Sequence, residues 1–158
     1  MKLMLMPKSV SWWVWMVTAV LLAVGLAGYT LGFILAIALS VVQTAVFLVR
    51  ERALAAFPVQ IRVTYTALLL VCYLPYMRWL YWLPTVGTFA LVLFGYCLTA
   101  RFLSVLPWNR TEPLSLNLLR RTFLSPPVVG NVQHGLPADG CPGGVCSLEA
   151  RVAEFNRR

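Results

Sequence analysis

The sequence predicts an all-α membrane fold, a four-transmembrane-helix bundle with a short cytoplasmic C-terminal tail, on three observations. Of the 158 residues, 60% are hydrophobic and only 11% charged, against roughly 25% charge in a soluble domain. Mean hydropathy is +0.79, so a water-soluble fold of this chain would lack a polar surface. Apolar runs follow one another through residues 12–106, broken by Gly, Pro and Arg.

The first run, residues 12–49, carries no charge and far exceeds the roughly 20 residues that one crossing needs. It must fold back. The break is expected at Gly28-Tyr29-Thr30, where Gly frees the backbone and Tyr suits the headgroup level, giving spans at about 12–28 and 31–49. Ala19, Ala23 and Ala27 share one face of the first helix; Gly32, Ala36, Ser40 and Thr44 share one face of the second. Small residues at every fourth position let two membrane helices approach closely. Lys2 and Lys8 ahead of an apolar stretch also resemble a signal peptide, but the unbroken continuation through 31–49 favours a retained span.

Arg50-Glu51-Arg52 closes the second span, and a third is expected at about 63–82. Its far end gathers Pro75, Arg78, Tyr73, Tyr76, Trp79, Tyr81 and Trp82, a composition suited to the membrane interface. Pro84 opens a fourth span at about 85–106, in which Arg101 lies near enough to the end to snorkel outward. Residues 1–11 and 107–158 flank this transmembrane region. Within the tail, 114–124 places Arg120 and Arg121 beside apolar bulk, as a helix lying along the membrane surface would. A Pro- and Gly-rich loop follows, then a short helix from Ser147.

Lys2, Lys8, Arg50, Arg52, Arg62, Arg101 and Arg110 fall on one side of this arrangement and Arg78 alone on the other. The basic side is expected to be cytoplasmic, which places both termini there, in a bacterial-type plasma (inner) membrane. Thirteen Lys and Arg against five acidic residues give a net charge of +8. Because these cations cluster at span ends and in the tail, their expected partner is the lipid bilayer, with no nucleic acid.

No Asp, Glu, Lys or His lies inside an expected span, which disfavours proton-coupled transport. Gln43 is expected to make an interhelical hydrogen bond. The sequence shows no nucleophile with a base, no paired carboxylates and no phosphate-binding loop, so an enzyme is the less favoured class. Cysteines are the main chemical signal. Cys72 lies ten residues beyond Arg62 and Cys97 nine before Leu106, depths of about 15 Å and about 14 Å from the same side, so that neighbouring antiparallel helices could bring the thiols together. Each also reads as a small buried hydrophobe. In the tail, Cys141-Pro-Gly-Gly-Val-Cys146, with His134 seven residues upstream, can close on a soft ion such as Cu(I), Hg(II) or Zn(II). His134 by itself reads as a loop histidine. A standing disulfide is disfavoured in the cytosol.

Four short spans ending in a tail with Cys-x4-Cys resemble the bacterial mercuric-ion transport membrane proteins, in the architecture and in Cys141-Pro-Gly-Gly-Val-Cys146 alone. The resemblance implies transfer of a soft metal from membrane thiols to tail thiols, here Cys72 and Cys97 to Cys141 and Cys146. The family's vicinal cysteine pair in the first span has no counterpart at 12–28. The alternative expectation is a non-catalytic accessory or scaffold subunit, its spans packed on a larger membrane complex and its tail docked on a cytosolic protein.

Overall fold

The computed structural model describes residues 10–52, 57–109, 113–124, 130–131 and 136–137. These form six α-helices, a 3-10 segment and a two-residue antiparallel ladder, Gly130–Asn131 with Leu136–Pro137. Among the described residues two stretches are long and apolar enough to cross a membrane: Thr30–Val49 and Pro75–Phe94, each of 20 residues, with mean hydropathies of 2.4 and 1.2.

Helix α1, Val10–Leu26, turns through Gly28 into α2, Thr30–Glu51. Gly28 has φ +109°, a conformation a side chain would strain. The two helices meet along small residues. Ala19, Gly25, Gly32, Ala36 and Ser40 are buried, and a Cβ on Gly32 would fall 2.7 Å from the Gly25 backbone nitrogen. On α1 the contact stripe runs through Trp15, Thr18, Ala19, Leu22 and Gly25; Ala27, expected on that face, is exposed.

Helix α3, Phe57–Tyr73, packs on α2. Their contact is polar at its centre: Thr66 Oγ1 donates to Ser40 Oγ at 3.2 Å and lies 3.1 Å from Thr44 Oγ1. Among the described residues these hydroxyls make the α2–α3 polar bonds, in place of the half-buried Gln43. The expected third span divides. Leu74, preceding proline, is extended (ψ 138°), and Pro75–Tyr81 winds as a 3-10 segment, since Pro75 restricts its predecessor and removes one amide donor.

Helix α4, Trp82–Phe94, starts directly from that segment and returns to pack against α1, where Trp12 Nε1 donates to the Val92 carbonyl at 3.2 Å. The expected fourth span is also interrupted. Gly95 ends α4 at φ +69°, with its amide on Leu91 O and the Tyr96 amide on Ala90 O, a glycine C-cap that stops a helix. Cys97 then caps α5, Leu98–Val105. Beyond a turn lies α6, Leu116–Leu124, begun by Ser115 Oγ accepting from the Leu118 amide at 3.1 Å.

The core is built from Trp15, Leu22, Phe33, Ile61, Tyr65, Leu69, Tyr81 and Val92. Phe33 stacks on Tyr81 with ring centroids 3.8 Å apart, and Tyr81 Oη donates to Leu69 O at 3.1 Å, fixing the 3-10 segment against α3.

Candidate functional site

The interruption at Gly95 matters because a cavity of about 320 Å³ lies beside it, lined on one side by α4 as far as Leu91 and on the other by Cys97 and the first turns of α5. Its floor is contributed by Trp15 of α1, Tyr65 of α3 and Thr88 of α4, each at least nine-tenths buried. Trp15 meets Tyr65 edge-on at 4.9 Å. Thr88 Oγ1 spends its proton on Pro84 O at 2.6 Å, so in the 2.6 Å contact between Tyr65 Oη and Thr88 Oγ1 the tyrosine is the donor. The floor hydroxyls therefore satisfy one another and present carbon to the cavity.

The first turn of α5 closes one end of the cavity with Cys97, Leu98 and Thr99. Cys97 Sγ accepts from the Ala100 amide at 3.4 Å, so the thiol side chain caps the first turn of α5. The mouth lies between α4 and α5, where Leu83 and Phe102 border the cavity and are 49% and 56% exposed. Gly87, one turn beyond Leu83, borders it too, and a Cβ there would meet no atom within 4 Å.

Beneath the cavity, α6 is clamped to α5. Tyr96 Oη donates to Phe123 O at 2.7 Å, and Phe123 itself borders the cavity. Arg101 Nη1 donates to Thr122 O, and its guanidinium lies 4.2 Å from the centroid of the Tyr96 ring. Arg101 is 2% exposed, so it points inward instead of snorkelling. Arg62 is likewise buried, donating to Pro58 O at 3.2 Å with its guanidinium carbon 3.3 Å above the Phe47 ring. Asn109 Nδ2 bridges Gln60 Oε1 at 2.7 Å and Leu103 O at 3.0 Å, joining the end of α5 to α3.

Of the candidate thiols, Cys97 borders the cavity and Cys72 is buried in the core near the end of α3. Both are free. Cys141, Cys146 and His134 lie outside the described residues. Among the described residues no group of three or more His, Cys, Asp and Glu is placed to hold a metal ion. Trp15, Tyr65, Gly87 and Thr88 were not singled out by sequence; one signal for the break was present, because Gly95-Tyr96 repeats the Gly28-Tyr29 pair that marks the first turn.

No known protein family, curated protein or solved structure matches this chain.

Proposed function

We propose that this chain is a four-span integral membrane protein of the bacterial inner-membrane type, with both termini cytoplasmic, and that it works by binding, as a small accessory subunit of a larger membrane assembly. One observation carries the reading: the helices turn aliphatic side chains outward and polar ones inward. Leu31, Ile34, Leu35, Val41, Val42 and Val46 of α2 are all more than 40% exposed, while Thr18, Ser40, Arg62, Thr66, Thr88 and Arg101 are buried. Water would oppose that distribution; a bilayer or a membrane partner favours it. At 17 residues, α1 and α3 reach the lower bound of about 17 for one crossing.

A second reading, handling of a soft metal through Cys72 and Cys97 to Cys141 and Cys146, is supported by Cys97 at the N-terminus of α5 beside a cavity. A single experiment separates the two. Membranes are washed with alkaline carbonate, and thiols are labelled in intact and permeabilised cells, with and without Cu(I) or Hg(II), in the wild type and in Cys141→Ser/Cys146→Ser. Retention in the pellet, with tail labelling only after permeabilisation and unaffected by metal, is the expected result for the accessory subunit. Protection of the tail thiols by metal would replace it with the thiol route, and release by carbonate would overturn the membrane reading.

A further inference from the structure

We propose that the cavity beside the α4–α5 break is a lateral-entry site for one hydrocarbon chain, acyl or isoprenyl, of a membrane lipid. The inference rests on the membrane reading above and adds a specific occupant. Three features of the site select that chemistry.

The cavity is large enough. At about 320 Å³ it is about twice the roughly 150 Å³ that accommodates a benzene ring in an apolar protein cavity. It therefore holds a segment of a chain and not a whole lipid.

The walls offer the ligand little polar surface, Thr64, Thr99 and Cys97 being the polar residues beside the paired floor hydroxyls. Tyr65 and Thr88 close on each other and on Pro84 O, and Leu68, Leu91 and Phe102 supply much of the remaining lining. A ligand bringing its own donors or acceptors would lose their hydration without replacement, whereas a methylene chain loses nothing and gains dispersion contacts.

The entrance faces where such chains are. Leu83 and Phe102, at the mouth, are half exposed on the same kind of aliphatic surface that covers α2. Between Leu83 and Leu91, Gly87 removes the side chain that would shut the entrance, and the space in front of it is open.

The test is photo-crosslinking of the full-length protein in phospholipid vesicles. One arm carries a phospholipid with a diazirine near the end of one acyl chain, the other a free fatty acid with the same group, and peptides are mapped by mass spectrometry. The expected result is adducts on the α4–α5 peptides around Thr88, Leu98 and Phe102, falling by about tenfold or more in Gly87→Phe and Gly87→Leu, because a filled interior leaves no room for a second occupant. Gly87→Ala, which leaves the cavity open, should label like the wild type. Adducts on Val41, Val42 and Val46 of the α2 outer face serve as the control and should be equal in all variants. Cavity labelling from the phospholipid identifies a bilayer lipid tail; cavity labelling from the free acid alone would overturn that source. Cavity adducts unchanged by Gly87→Phe and Gly87→Leu, or α2 adducts without cavity adducts, would overturn the site while sparing the membrane reading. Absence of adducts at both places would overturn the membrane reading itself.

Discussion

Arg101 shows how a single side chain can take a place that its position along the chain does not announce. Near the end of an apolar run, a long cationic side chain has two ways to avoid hydrocarbon: it reaches outward to water, or it turns inward to carbonyls and rings. Here the C-terminal carbonyls of α6 are within reach, and Arg101 takes the Thr122 oxygen and the face of Tyr96. A charged hydrogen bond of this type contributes about 1.5–3 kcal/mol, and the neutral Tyr96 Oη bond to Phe123 O about 1 kcal/mol. In detergent-solubilised protein, Arg101→Gln should therefore speed tryptic cleavage at Arg120 markedly and Tyr96→Phe should do so weakly. Equal cleavage of wild type and Arg101→Gln would mean that α6 is held by its buried Leu118 instead.

At the scale of the elements, two glycines in helices make opposite predictions. Gly32 sits where α2 crosses α1, and a Cβ there would meet the Gly25 nitrogen at 2.7 Å and also crowd the Leu21 carbonyl. Both are backbone atoms that cannot move aside cheaply, so Gly32→Ala should destabilise by about 1–3 kcal/mol. Gly87 faces open space, so Gly87→Ala should stabilise by about 0.5–1 kcal/mol through helix propensity alone. Thermal unfolding followed by circular dichroism in one detergent reads both; a shift of the same sign would contradict the helix crossing described for α1 and α2. The hairpin was legible in sequence because Gly-Tyr breaks an uncharged run and small residues recur every four positions. The interruption of the fourth apolar run was less legible, since Gly95 lies within continuous hydropathy and its left-handed conformation is a backbone property that side-chain patterning does not report.

For the whole molecule, the decisive property is which solvent the outer surface meets. Val42 lies midway along α2 and is 58% exposed. On a water-facing helix Val42→Arg would be almost neutral, but at the centre of a membrane span it should cost about 2.5–3.5 kcal/mol of insertion free energy. A large fall in the carbonate-resistant fraction of Val42→Arg, with Val49→Arg at the exposed end of the same helix falling little, is the expected outcome; equal retention of both would mean that α2 does not face lipid. Composition and hydropathy by themselves determined that the chain is helical and rich in bilayer-length apolar runs, because the scarcity of charge and the spacing of breaks are summed along the chain and need no knowledge of neighbours. The sequence also placed the thiols, the basic residues and the tail motif along the chain. Only the tertiary structure decided that the third and fourth runs are broken, that Arg62 and Arg101 turn inward, and that Trp15, Tyr65, Thr88 and Cys97 surround one cavity. Those outcomes depend on contacts between residues far apart in sequence, such as Trp12 and Val92, 80 positions apart, and on backbone turns at single residues, neither of which is carried by the periodicity of any one segment.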